Sequence, residues 1–271
     1  MVSMKRLLYP LNCLCTLLLL LVTACSVQKN ITTQPIRFVI INNTSPGSPY
    51  AAYDAQLATI IQSINNENPV FTIHSGNIVH GGTIAMGIHE KDIETQYKQF
   101  YRYCSKLNSI LFTACGPQDT YNNSTRLYTR FTQKQAWYSF NYGSHHFIVL
   151  YSEDNNVLKL PQQELQWLHD DVKQNQHASK VVFCYFLPAI HKNNSQTFIH
   201  NDYQHLHTML KQYNVIAFIG VTGISSPVTI DTIQYIPVPC DNTFTNKYKK
   251  AIRYYIVDFN GNYIKLVPRY L

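Results

Sequence analysis

The sequence predicts an α/β (α+β) fold, a four-layer α/β/β/α sandwich of two mixed sheets flanked by helices. Three observations carry that expectation. Short apolar runs alternate with amphipathic stretches through most of the chain, the pattern of parallel strands joined by crossover helices. The last fifty residues instead read as consecutive strands separated by turns. No internal repeat and no interdomain linker interrupts the chain, so residues 36–271 are expected to form a single domain.

Taken in order, "IRFVIIN" (36–42) is the first strand. A helix is expected over 51–68, where Leu57, Ile60, Ile61 and Ile64 fall on one face. "VFTIHSG" (70–76) is the second strand, ending at Ser75-Gly76 and delivering Asn77. In open α/β sheets the working groups sit beyond such strand ends. A helix over 90–107 leads to the strand "SILFTACG" (109–116), and "AWYSFNYGSHHFIVLYS" (136–152) reads as a hairpin turning at 141–144. Pro161 sits in the first turn of a helix over 160–175. "KVVFCYFLP" (180–188) is a buried strand, residues 202–213 a helix, and "NVIAFIGVTG" (214–223) a strand ending in a Gly-bounded loop.

The first 24 residues stand outside the fold. A basic start (Lys5, Arg6), an apolar run "TLLLLLV" and small residues before Cys25 form a signal-peptide layout. The ending V-T-A-C resembles the lipobox of bacterial lipoproteins, in which the Cys is lipidated after cleavage. Residues 1–24 are thus expected to be removed, with Cys25 as the lipidation site and residues 25–35 a short tether. Ser26 lacks the Asp that retains many lipoproteins at the inner membrane, so the expected location is the cell envelope, with the outer membrane or the periplasmic face favoured. Charged residues are only 14% of the chain, against about 25% in ordinary domains. The formal charge of +7 falls to +5 once Lys5 and Arg6 leave with the signal. No Lys/Arg stripe with interleaved aromatics marks a nucleic-acid site. Cys104, Cys115, Cys184 and Cys240 fit neither a zinc motif nor a disulfide framework, and their pairing stays open.

Several phrases recur in the order and spacing of one family: "RFVIINNTS", "HSGNIVHGG", "ACGPQD", "WYSFNYGSHHFIVLYSE", "QQELQWLHDDV", "VVFCYFLP" and "LHTMLKQYNVIAFIGVTG". From residue 36 onward the chain resembles the calcineurin-like metallophosphoesterases, in particular their purple-acid-phosphatase-like branch. That family uses two divalent metals such as Fe, Mn or Zn, about 4 Å apart, to activate water and neutralise phosphoryl oxygens. Carried over position by position, the resemblance places Asn43 at the first Asp, Ser45 at the His two residues on, and Asn77 at the bridging Asp. Pro117 stands for the Asn ligand and Gln118 for the His that assists the leaving group. Tyr185, Val221 and Gly223 stand for the three remaining His. Only Asp119 matches, at a position that orients other groups rather than binding metal.

Two divalent cations need carboxylate and imidazole donors to offset their charge. The substituted set provides none, so no catalytic residue is intact and no metal cofactor is expected. The expectation is a membrane-anchored pseudoenzyme that acts by binding an unknown protein or small ligand. The alternative is an active phosphoesterase with a relocated or single-metal site, built from residues such as His74, His80 and Asp119. Structural roles for these histidines are favoured. His145 and His146, adjacent on a strand, point to opposite faces and do not chelate together. His205 and His207, about 200° apart on a helix, read as part of a His-rich surface. No GxSxG elbow, P-loop, GxGxxG or HExxH occurs.

Overall fold

The two-residue alternation of a strand sorts the apolar side chains into three packed layers. In β1 (Ile36–Ile41), Phe38 and Ile40 face one way while Val39 and Ile41 face the other. The computed structural model describes residues 35–193, 196–221, 226–238 and 252–270. Residues 1–34, which hold the expected signal, Cys25 and the tether, lie outside them, as do Gly223 and Cys240.

One sheet combines β1 with β2 (Phe71–His74), β3 (Ile110–Thr113), β12 (Ile252–Phe259) and β13 (Ile264–Tyr270) in the order β13-β12-β1-β2-β3. β1, β2 and β3 run parallel, and β12 joins β1 antiparallel. The other sheet uses β4 (Tyr138–Tyr142), β5 (His145–Val149), β6 (Ser179–Phe183), β9 (Val215–Gly220), β10 (Val228–Ile230) and β11 (Ile233–Pro237) in the order β10-β11-β9-β6-β5-β4. Its four central strands are parallel and its edges antiparallel.

Helices α1 (Gln56–Asn66), α2 (Glu90–Cys104) and α3 (Arg126–Thr132) cover the outer face of the first sheet, where Leu57, Ile60, Ile64, Ile93, Tyr97 and Leu127 meet Val39 and Ile41. Helices α4 (Gln162–Gln174) and α5 (Gln204–Gln212) cover the second, where Leu168, Val172 and Leu210 meet Ile148, Val182 and Phe218. Between the sheets, Phe38, Phe71, Phe147 and Phe183 interlock. Phe38 stacks on Phe71 at 4.6 Å, and Phe71 meets Phe147 edge-on at 5.1 Å. Such pairs add about 0.5–1.5 kcal/mol each beyond the area they bury. The expected sandwich is therefore present.

The differences from the sequence reading are local and have identifiable causes. The helix expected from residue 51 starts at Gln56. The backbone before it is held by side chains of α2: Gln96 Nε2 donates to the carbonyls of Ser48 and Pro49, and Gln99 Oε1 accepts from Tyr53 N–H. The strand expected over 180–188 leaves the sheet after Phe183, and its continuation bends into a loop. Helix α3 and a two-stranded ribbon, β7 (Ile190–Asn193) with β8 (Gln196–Ile199), are additions to the expected elements. Leu127, Tyr128 and Phe131 carry the spacing that marks α3. His145 packs inward on Phe259 at 4.4 Å, whereas His146 faces outward to Asp171 on α4, so the opposite-face expectation holds. The His-rich surface reading holds for His205 and fails for His207. His207 is 6% exposed and sits between Tyr235 OH (2.7 Å) and Asp231 Oδ2 (3.1 Å). Cys104, Cys115 and Cys184 are free thiols.

Glu164 of α4 is fully buried, its Oε1 accepting from Tyr151 N–H at 2.8 Å while Oε2 has no hydrogen-bond partner among the described residues. Burial pushes its carboxyl up to about 8. A carboxyl held protonated stabilises the fold most below its ordinary value of 4.5, and that contribution is lost as pH rises through about 8. Urea unfolding between pH 4.5 and 8.5 should show stability falling with pH. Glu164→Gln should flatten the fall by ~1–3 kcal/mol, and an unchanged slope would mean that Glu164 is ionised in the folded protein.

Candidate functional site

The parallel strands of both sheets send their C-terminal loops to one rim of the sandwich. Asn43 and Ser45 follow β1, Ser75 to His80 follow β2, Cys115 to Asp119 follow β3, Tyr185 follows β6 and Val221 follows β9. The chain thus brings together seven of the positions singled out in sequence, plus Asp119.

Asp119 is the centre of the base. It is fully buried and its two oxygens accept four backbone N–H groups. Oδ2 accepts from Asn77 (2.8 Å) and Gly116 (2.8 Å), and Oδ1 from Ile78 (2.6 Å) and Val79 (3.1 Å). Burial pushes its carboxyl up to about 7, against the pull of these four donors, which favour the ionised form. Its acceptor capacity is committed to the loops it joins, which leaves little for a ligand.

Asn77 stands directly on this anchor with φ of +57°, and Asn43 has φ of +49°. This left-handed region disfavours most side chains, and Asn and Asp enter it at the least cost outside glycine. The Asn77 amide is used on both sides. Its Oδ1 accepts from Gln118 N–H at 3.0 Å, and its Nδ2 donates to Tyr185 OH at 2.7 Å. Around Asn77 the chain is tight: a Cβ at Gly116 would lie 2.5 Å from Asn77 Oδ1, and one at Gly76, whose φ is +108°, would lie 2.9 Å from both Gly116 Cα and the Tyr185 ring. The Tyr185 ring covers these two glycines and is only 7% exposed. The loops are also tied by main-chain bonds, Asn43 N–H to Gly76 O (3.1 Å), Ser45 N–H to Asn77 O (3.0 Å) and Val221 N–H to Tyr185 O (2.8 Å).

Above this base the rim is half-buried and neutral. Ser45 Oγ donates to Gln118 Oε1 at 3.0 Å. Pro117 opens a short 3₁₀ turn, Pro117–Asp119, that carries Gln118 outward. Beside it lies a cavity of about 250 Å³ lined by Gly81, Gly82, Thr83, Pro117, Gln118 and Thr120.

The histidines weighed for a relocated site serve the scaffold. His74 is fully buried, its Nδ1 accepts from Gly76 N–H at 3.1 Å, and its Nε2 is 2.9 Å from Thr44 Oγ1. Since Nδ1 is an acceptor, the ring proton sits on Nε2 and points at Thr44. Burial lowers its pKa to about 3, so the ring stays neutral. His80 Nδ1 lies 3.2 Å from Pro46 O. No group of three or more His, Cys, Asp or Glu able to hold a metal occurs among the described residues.

Apart from Asp119, whose oxygens accept four backbone N–H groups, the matched positions within the described residues (Asn43, Ser45, Asn77, Pro117, Gln118, Tyr185 and Val221) hold neither a carboxylate nor an imidazole, the donors that a pair of divalent cations needs. Ser45–Gln118 and Asn77–Tyr185 are not visible in the sequence as bonds, because the first joins loops after β1 and β3 of one sheet and the second joins loops of the two sheets.

Asp119→Asn at pH 8, where the carboxyl is ionised, should cost about 2–4 kcal/mol, because an amide turns N–H groups toward backbone donors. Tyr185→Phe, which strands Asn77 Nδ2, should cost about 1–2 kcal/mol. Denaturant titrations check both, and equal losses would contradict a base built around Asp119.

No family model matches the chain, and no curated protein matches it in sequence. Its likenesses are in solved structures. A dimetal phosphatase from Danio rerio superposes with a TM-score of 0.63 at 11% identity, covering 88% of this chain and 97% of that one. GAP50, described as the anchor in the inner membrane complex of Plasmodium, gives 0.56 at 15% identity over 88% and 84%. A Thermus thermophilus protein, TT1561, gives 0.55 at 10% over 87% and 99%. Two mixed sheets flanked by helices, with these neighbours, make the fold metallophosphoesterase-like.

Proposed function

We propose that this protein is a lipoprotein of the cell envelope whose metallophosphoesterase-like domain binds a protein or small ligand and carries out no metal-dependent hydrolysis. The carrying observation is the base of the site, where Asn77 is held between Gln118 N–H and Tyr185 OH above a backbone-saturated Asp119. In the family that the sequence resembles, Asn43, Ser45, Asn77, Pro117, Gln118, Tyr185, Val221 and Gly223 stand where metal ligands and their helpers belong. On this reading the neutral network replaces the charged one and keeps the loops in place. A fold is separable from the chemistry it hosts, and among the structural neighbours one is named as a dimetal phosphatase and another as an anchor. The half-buried rim of Ser45 and Gln118, with its adjoining cavity, offers hydrogen bonds without charge, which suits a neutral polar group of the bound partner.

Attachment rests on Cys25 in the lipobox-like V-T-A-C. No helix among the described residues is long and apolar enough to cross a membrane.

Elemental analysis of the purified full chain, with phosphomonoester and phosphodiester assays in Mn, Fe and Zn, tests the catalytic half. Less than one equivalent of metal and no turnover above the protein-free rate are expected. Two tightly bound equivalents, or metal-dependent turnover, would establish the active phosphoesterase instead. For the anchor, Cys25→Ser should abolish labelled palmitate incorporation and move the chain out of the membrane fraction. Unchanged labelling would refute lipidation at Cys25.

A further inference from the structure

We propose that a cavity on the helical layer, between residues 52–53 and the second half of α2, binds a phosphate-class oxyanion carried by a small molecule or a lipid headgroup. The cavity measures about 370 Å³ and is lined by Ala52, Tyr53, Gln99, Arg102, Tyr103 and Lys106. Residues 99, 102, 103 and 106 recur at helical spacing, so a single face of α2 and the turn that follows it supplies four of the six walls.

The charges of α2 are segregated. Its acids Glu90, Asp92 and Glu94 lie in the first half, where Glu90 pairs with Arg126 and Glu94 with Arg130 and Lys98. Arg102 and Lys106 lie beyond them and form no ion pair among the described residues. Two like charges four residues apart disfavour each other. The negative end of the helix dipole offsets part of that cost, being equivalent to roughly half a charge, and leaves most of the double positive charge unneutralised. Both cations border the same concavity, which is the arrangement that recognises a multiply charged oxyanion.

The remaining walls supply donors and flat apolar surface. Gln99 Oε1 is taken by Tyr53 N–H, which leaves its Nε2 to donate, and Tyr103 OH has no hydrogen-bond partner among the described residues. The Tyr53 and Tyr103 rings lie 6.4 Å apart at 52° and can flank the organic part of a phosphate ester. No acidic side chain lines the cavity. It is separate from the rim beside Asn77, and none of its lining residues borders that rim's cavity.

Thermal-shift and calorimetric titrations of the full chain with inorganic phosphate and pyrophosphate form one arm of the test. Sedimentation with phosphatidylglycerol against phosphatidylcholine vesicles forms the other. The comparison protein is Arg102→Gln/Lys106→Gln, whose positions are exposed, with its ligand-free melting temperature checked against the parent. Phosphate or pyrophosphate binding weakened at least tenfold by the double variant supports the proposal with a soluble ligand. A preference for phosphatidylglycerol that the double variant abolishes supports it with a headgroup. Binding retained by the variant, or no response in either arm, overturns it. Should the double variant fail to fold, Tyr103→Ala with Lys106→Gln is read by the same criteria.

Discussion

The buried Asp119 carboxylate is the constraint on which the site depends. Four backbone N–H groups from two loops converge on two oxygens in a place that water does not reach. Unmet, each of those donors would cost about 1–3 kcal/mol. The carboxylate therefore dictates the path of residues 76–79 and of 116–119 together. That path forces Asn77 into the left-handed region and brings Gly116 so close that any side chain there would collide with Asn77. Tyr97 adds a further tie, its hydroxyl donating to Asp119 O at 3.0 Å from the helix behind the sheet. The loops at this rim are tied to one another and to α2 by these bonds, with Gln96 Oε1 also accepting from His80 N–H.

Such a base has a particular consequence for the residues above it. Asn77 is delivered by a strand tip, aimed between the sheets, at a φ of +57° that few side chains tolerate. Asp and Asn are nearly equal in size and in their tolerance of that backbone, so the geometry accepts either. In its surroundings Asn77 accepts from Gln118 N–H and donates to Tyr185 OH, whereas a carboxylate at that position would need the phenol turned to donate instead. Tyr185 in turn lies over two glycines that leave room for a ring. The amide, the phenol and the glycines form one self-consistent set, and on the proposed reading this set is what holds the rim open for a partner.

How much of this is legible in the sequence follows from which interactions are local. Strand and helix identities follow from periodicity within a single segment, so β1, β2, α1 and α2 are readable. Their ends are not, since the start of α1 is decided by Gln96 and Gln99, which sit on another helix. Helix α3 escapes a sequence reading although its apolar residues are helically spaced, because it is short and flanked by polar turns. His207 misleads for the same kind of reason. Its partners Tyr235 and Asp231 come from the far side of a β hairpin and turn a surface-looking histidine into a buried one. Ordered phrases identify the rim residues, but the bonds among Ser45, Gln118 and Asn77 exist only once β1, β2 and β3 lie side by side, and the bond to Tyr185 only once the two sheets face each other.

The layering of the site also limits what can bind there. Its base of Asn77, Asp119 and Tyr185 is buried and internally satisfied, so a ligand that reached for it would have to break two or more good hydrogen bonds before making its own. The rim pair Ser45–Gln118 is half-exposed and joined by a single bond, so exchanging it for contacts with a partner costs about 1 kcal/mol or less. On the proposed reading, recognition falls to the upper layer and its neighbouring cavity, where the groups are uncharged. The cationic cavity on α2 differs in kind, with net charge and no ion pair to displace among the described residues. On the two proposals, a molecule that needs charge neutralised would suit that cavity, and a neutral polar one the rim. Tyr53 is common to both neighbourhoods, lining the α2 cavity while its hydroxyl donates to Ile78 O beside the site.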